Sequence, residues 1–254
     1  MYLIDSVDSS IPLVYFVEVT RDGRSFTSRT VKVFQHGKLT FFLAASFCRS
    51  RPSTISHGMP SPVNIVPSPE TLTDILSDES AKEIFQDILN NPLARENGLL
   101  FVSSLSEELA TRPIDYRYVP SEQVKQKSDS THPAEYRQYV WFKVNGPVSQ
   151  DKRIVILYII YASDHDILGT GICAHMNDSS VDVVTGMASL DLVMYFDKDI
   201  RLDDWLLIES YSPWAGGSRG LNIAYIYTRD GRHVATCIQE GVVQLRDKGR
   251  RSKL

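Results

Sequence analysis

Four stretches of the 254-residue chain carry residue types that could do chemistry. Gly216-Gly217-Ser218-Arg219-Gly220 satisfies G-x-S-x-G, the nucleophile-elbow pattern, which needs its serine on a tight strand-to-helix turn with Asp and then His far downstream. Here the following segment, LNIAYIYT, reads as a strand, and Asp230 and His233 stand three residues apart on a hairpin, so the match reads as a Gly-rich loop. Asp164-His165-Asp166 offers two carboxylates and an imidazole in a row. Neighbours along a chain do not easily converge on one ion, and no H-x-x-x-H or C-x-x-C supports them, which argues against a metal site. Asp164 also ends a strongly apolar segment. There it is either a partly desolvated carboxylate acting as a base or a solvated end or cap. Ser189 sits between Ala188 and Leu190, and Gln239 lies in the strand TCIQEGVV, where an amide points inward only if something receives it.

The elements that must position these residues form two similar sets. Val31 to Phe34 and Leu39 to Phe47 flank His36-Gly37, a two-residue hairpin signal, and Leu221 to Thr228 and His233 to Leu245 flank Asp230-Gly231, a stronger one. Placing Gly37 on Gly231 sets VKVFQHGKLTFFLAASF beside AYIYTRDGRHVATCIQEG with turn and apolar pattern in step. A similar offset sets Met1-Tyr2-Leu3 beside Met194-Tyr195-Phe196, so the chain reads as two copies of one β-rich unit. Gln239 then falls on Ala45, and the first copy has no counterpart of Asp164 or Ser189, which predicts one active site, in the second half.

The expected organisation is a unit over 1–47, a linker over 48–134, a second unit over 135–246 and a tail over 247–254. The linker opens with a proline-rich loop. Ser68-Pro69-Glu70 and the capping box Ser80-Ala81-Lys82-Glu83 then predict two short helices. The second unit begins with a strand over Tyr139–Asn145. IVILYIIYA follows, either a buried strand by its β-branching or a helix buried on all sides by its length. A strand over Val181–Phe196 comes next. The first unit, short of the roughly fifty residues that precede Met194 in the second, is expected to lack an opening strand and a long helix.

Composition bounds the partners. Net charge is −4, which leaves no basic field for a nucleic-acid backbone. The three cysteines, Cys48, Cys173 and Cys237, are odd in number and far apart, excluding a disulfide framework and fitting a reducing compartment. The longest apolar run, Ile154 to Ala162, is too short to span a membrane, and MYLIDSVDSS has no secretory signal pattern. Ser252-Lys253-Leu254 is the address read by the peroxisomal import receptor, a chance event of roughly 1 in 8,000. It predicts a protein of the peroxisomal matrix.

Residues 19–47 (VTRDGRSFTSRTVKVFQHGKLTFFLAASF), YASDHDIL (161–168), ASLDLVMYF (188–196), WLLIESYSPWAGGSRGL (205–221) and DGRHVATCIQEGVVQLR (230–246) together resemble the type II acyl-CoA thioesterases. The resemblance implies an α+β double hotdog fold: two antiparallel sheets, each around a central helix, with the first unit lacking its opening strand and helix. It implies hydrolysis of acyl-CoA to free acid and CoA without metal or redox cofactor, and assembly into a homo-oligomer. By motif position it implies Asp164 as base, with Ser189 and Gln239 holding Asp164 and the attacking water in register. Eukaryotic peroxisomal members also end in SKL-type tripeptides. The family's D-H-S-M-W-F-H reads Asp191-Leu192-Val193-Met194-Tyr195-Phe196-Asp197 here, a departure that bears on substrate fit rather than on the three catalytic positions. A second reading, a non-catalytic acyl-CoA-binding or assembly-partner paralogue, follows from the truncated first unit.

Overall fold

The apolar periodicities of the chain resolve into two antiparallel sheets in the computed structural model, which describes residues 1–49, 51–52, 54–73, 113–125, 132–149, 151–165, 167–175, 184–197 and 199–245. The first sheet has the order β1-β4-β3-β2, from β1 (Tyr2–Leu3), β2 (Val14–Asp22), β3 (Phe26–Gln35) and β4 (Lys38–Cys48). The second has β5 (Ile114–Tyr118), β6 (Gln138–Val144), β7 (Val184–Ser189), β8 (Val193–Phe196), β9 (Leu206–Gly216), β10 (Arg219–Thr228) and β11 (His233–Leu245). Its order is β5-β6-β9-β10-β11-β7, with β8 also on β11.

The ambiguous run IVILYIIYA is helical: α1 spans Lys152–Asp164, opened by Asp151, whose side chain accepts from Arg153 N at 2.9 Å. It is not buried on all sides as the helical alternative supposed, since Ile154, Leu157 and Tyr161 are exposed. Val155, Ile159 and Ala162 recur at helical spacing and are buried on the inner face of the second sheet against Val140, Phe142, Leu206, Ile208, Ala224 and Ile226. The opposite face of that sheet is a second core, in which Tyr139, Trp141, Leu207 and Tyr227 pack under Val66 and Leu72. Period-2 alternation thus sends one set of side chains to the helix and the other to the segment over 63–72. Ile114–Tyr118, inside the stretch expected to be linker, extends this sheet by pairing with β6. Of the two short linker helices, Pro69–Thr71 is one 3-10 turn, and the Ser80 capping box lies outside the described residues.

The strand expected over Val181–Phe196 is broken into β7 and β8. Both pair with β11, but between them Leu190 N and Asp191 N both turn to Glu240 O, so the ladder is interrupted. The first sheet docks at this break: Leu3 N donates to Leu190 O at 2.9 Å and Leu192 N to Met1 O at 3.0 Å.

The internal repeat is present in the strand pairing. Tyr2↔Phe42 and Leu3↔Phe41 in the first sheet become Tyr195↔Thr236 and Phe196↔Ala235 in the second, shifted by 193 and 194 positions. The turns are not in step, however. His36 (φ 50°) and Gly37 (φ 77°) form a two-residue turn closed by Gln35↔Lys38. The Asp230-Gly231 turn encloses three residues between Thr228 N and Arg232 O, with Gly231 at φ 86°. The extra residue shifts β10 by one against β11, so that Arg29↔Ala45 is the counterpart of Asn222↔Gln239. In the first unit no helix covers the sheet among the described residues, and β2 is exposed along its whole length.

Candidate active site

Three elements of the second unit meet at the end of α1. The helix delivers Asp164 at its last turn, β11 delivers Gln239, and β7 ends at Ser189, opposite Gly241 in the register. His165 stacks its ring on Tyr116 at 4.2 Å. Ile167–Gly169 and α2 (Thr170–Cys173) then fold back onto the sheet. Leu168 lies so close over Gly241 that a β-carbon there would overlap its Cδ1.

Gln239 is fully buried, and its Nε2 donates to Asp164 Oδ1 at 2.9 Å and to Ser189 Oγ at 2.7 Å. An amide nitrogen only donates, so Ser189 Oγ accepts from it and keeps its own proton for another partner. Asp164 itself is exposed, which decides between the two alternatives in favour of a solvated helix end over a carboxylate desolvated by the apolar run. The helix end emerges at the surface, and the buried member of the constellation is the amide. Gln239 Oε1 is buried without a hydrogen-bond partner among the described residues. The arrangement is one carboxylate open to solvent, one hydroxyl and one inward amide that locks both.

The surroundings hold β11 in place. Glu240 N donates to Asp191 Oδ1 at 3.1 Å, and the Glu240 carboxylate pairs with Arg219 at 2.8 Å. Cys237, two residues before Gln239, is no nucleophile: burial, aided by the Asp164 charge and opposed by a hydrogen bond to Ser163, pushes its thiol up to about 12. A thiolate is the reactive form. Among the described residues no three His, Cys, Asp or Glu side chains come together to hold an ion.

The G-x-S-x-G stretch is a strand-to-strand hairpin. Gly217 (φ 57°) and Ser218 (φ 60°) form the turn between β9 and β10, and the Ser218 carbonyl accepts from Val243 N at 2.9 Å. Asp166 and the Ser252-Lys253-Leu254 tripeptide lie outside the described residues. In the first unit the place of Gln239 is taken by Ala45, and the residue opposite, Arg29, is ion-paired with Asp22 at 2.7 Å. Sequence reasoning missed Asn222. It lies opposite Gln239 and is 1% exposed. The signal was a lone amide at an inward position of LNIAYIYT.

Comparison with known proteins gives one consistent picture. Residues 96–243 match the family model described as the acyl-CoA thioesterase C-terminal domain. Acyl-coenzyme A thioesterase 8 of Rattus norvegicus is 34% identical over 261 residues, covering 100% of this chain and 74% of that protein. Acyl-CoA thioesterase 2 of Haemophilus influenzae is 28% identical over 246 residues, covering 96% of this chain and 77% of its own length. Among solved structures, an acyl-CoA thioesterase II, TesB2, from Mycobacterium marinum superposes with a TM-score of 0.72 at 29% identity, covering 97% of this chain and 79% of that one.

Proposed function

The chain belongs to the type II acyl-CoA thioesterase family, and on that premise we propose that it hydrolyses fatty acyl-CoA to free fatty acid and CoA at Asp164, Ser189 and Gln239. The observation that carries the assignment of residues is the Gln239 amide, whose one nitrogen joins the carboxylate of Asp164 to the hydroxyl of Ser189. With Oδ1 engaged, the exposed Asp164 carboxylate takes a proton from a water as that water attacks the thioester carbonyl. The Ser189 hydroxyl, accepting from Gln239, donates its own proton in a hydrogen bond to the water or to the carbonyl oxygen as charge develops there. The tetrahedral intermediate collapses by breaking its C–S bond. The proton held by Asp164 passes to the departing thiolate, so CoA leaves as the thiol and the carboxylate is regenerated. No covalent acyl-enzyme is formed, and the buried amide contributes positioning.

The terminal Ser252-Lys253-Leu254 supports recognition by the peroxisomal import receptor and work in the peroxisomal matrix. No helix among the described residues is long and apolar enough to cross a membrane. The exposed apolar residues Ile154, Leu157 and Tyr161 on α1, and the open edge strand β2, support self-association. The face of the first sheet, which no helix covers among the described residues, favours a second reading, an acyl-CoA-binding or assembly-partner protein without turnover.

Hydrolysis of palmitoyl-CoA, followed as thiol release by the folded protein, separates the two. The enzyme reading expects turnover that falls about a thousandfold in Asp164→Asn. A folded wild type that binds palmitoyl-CoA without releasing thiol overturns it, and turnover surviving in Asp164→Asn overturns the assignment of the base.

A further inference from the structure

The segment that follows Asp164 is held to the sheet by side chains of two neighbouring strands: Thr170 Oγ1 lies 2.9 Å from Ser210 Oγ on β9, and the next residue, Gly171, is held from β10. Asn222 projects from β10 on the helix-facing side, directly opposite Gln239 in the register. Its Oδ1 accepts from the backbone N of Gly171 at 3.2 Å, tying α2 to the strand next to Gln239. The approach is tight: a β-carbon at Gly171 would stand 3.0 Å from Ser212 Oγ and 3.3 Å from Asn222 Oδ1, so either side chain would have to shift to admit it. A ring of contacts therefore closes around the site. Asp164 leads along the chain to Gly171, Gly171 bonds to Asn222, Asn222 pairs across strands with Gln239, and Gln239 returns to Asp164.

A structural amide would be expected to use both of its ends when buried. Asn222 uses only its oxygen, and its Nδ2 is buried without a partner among the described residues, as is Oε1 of the neighbouring Gln239. A spare donor and a spare acceptor stand on adjacent strands, and an apolar side chain would avoid the cost of burying the first of them. The first unit, which has Ala45 in place of Gln239, has at the equivalent position an arginine turned to Asp22.

We infer that Asn222 is a positioning residue for thioester hydrolysis, holding the Ile167–Cys173 segment so that Asp164 stays within hydrogen-bond reach of Gln239. The inference rests on the proposed roles of Asp164 and Gln239. It is tested by a double-mutant cycle on palmitoyl-CoA hydrolysis with Asn222→Leu, Gln239→Ala and the pair, each measured as kcat and KM per folded protein. Asn222→Leu is expected to lower kcat about tenfold with KM within about twofold, since small displacements of positioned groups cost rate. The double variant is expected to be no slower than Gln239→Ala alone, because residues acting as one unit are non-additive. Losses that multiply in the double variant, or a parental kcat in Asn222→Leu, overturn the inference. If Asn222→Leu does not fold, Gly171→Ala, which crowds the same contact, takes its place in the cycle with the same expected result. Asp164→Asn, run alongside, separates the two levels. Activity surviving there removes the assigned chemistry itself, whereas its loss together with multiplicative Asn222 losses removes only the role of Asn222.

Discussion

The carboxamide nitrogen of Gln239 stands 2.9 Å from Asp164 Oδ1, although 75 positions of chain separate the two residues. The same nitrogen is 2.7 Å from Ser189 Oγ. Each partner receives one hydrogen of the NH2 group, so the orientation of the amide is set by the residues it joins. Reversal would place a carbonyl oxygen against a carboxylate.

On the proposed mechanism, that geometry makes Ser189 a donor rather than a nucleophile. Ser189→Ala removes the only hydrogen that the hydroxyl can direct outward and is expected to lower kcat about tenfold to a hundredfold. Ser189→Thr keeps the hydroxyl and is expected to stay within a few fold of wild type. Steady-state kinetics with palmitoyl-CoA and mass spectrometry for a trapped acyl group decide it, and an acyl-serine at position 189 would contradict the mechanism.

Ser218 tests the opposite expectation. Its backbone is at φ 60°, a conformation that glycine adopts without the strain of a β-carbon. Ser218→Ala should therefore retain hydrolysis, and Ser218→Gly should raise stability by about 1 kcal/mol, read as a higher midpoint in urea. Abolished turnover in a folded Ser218→Ala would return the serine-hydrolase reading to consideration.

Glu209, on the outer face of the second sheet, gives a pH-dependent prediction. Burial raises its carboxyl above the ordinary glutamate range, with the Tyr227 hydroxyl donating to Oε2 at 3.1 Å and Arg137 opposing the rise. The folded state thus holds this proton more tightly than the unfolded chain does. The group's contribution to stability falls as pH climbs from the unfolded carboxylate range through the raised folded value, and is constant above it. Glu209→Gln, which keeps an acceptor for Tyr227 without the charge, is expected to melt about 2 °C above wild type at pH 8 and level with it near pH 4. Melting curves across that range check both ends.

The thiols should divide by exposure. Cys48 is exposed, whereas Cys237 is buried with its thiol pushed up to about 12. A thiol reagent at pH 8 is expected to label Cys48 in the native protein and Cys237 only after unfolding, with peptide mapping as the readout. Rapid native labelling of Cys237 would show that the segment beside the site opens readily.

Much of the fold was written in local pattern. Hairpin signals at His36-Gly37 and Asp230-Gly231, alternation in the strands beside them and the likeness between the two sets of elements all come from neighbours in the chain, and the pairing of Tyr2 with Phe42 and Tyr195 with Thr236 obeys them, although the extra residue in the second turn was not legible there. By itself the sequence determined the repeat, and it pointed to a candidate site in the second copy and, through motif likeness, to Asp164, Ser189 and Gln239 as its candidate residues. Tertiary structure decided what periodicity leaves degenerate. IVILYIIYA became a helix because Val155, Ile159 and Ala162 found a sheet to cover. The strand through Ser189 broke because Leu190 and Asp191 share Glu240 O at the point where the first sheet docks. Asp164 proved exposed and Gln239 buried, and Asn222 acquired a place in the site, because burial depends on which strands lie side by side. Cross-strand proximity depends on the register of the whole sheet, which no window of sequence contains.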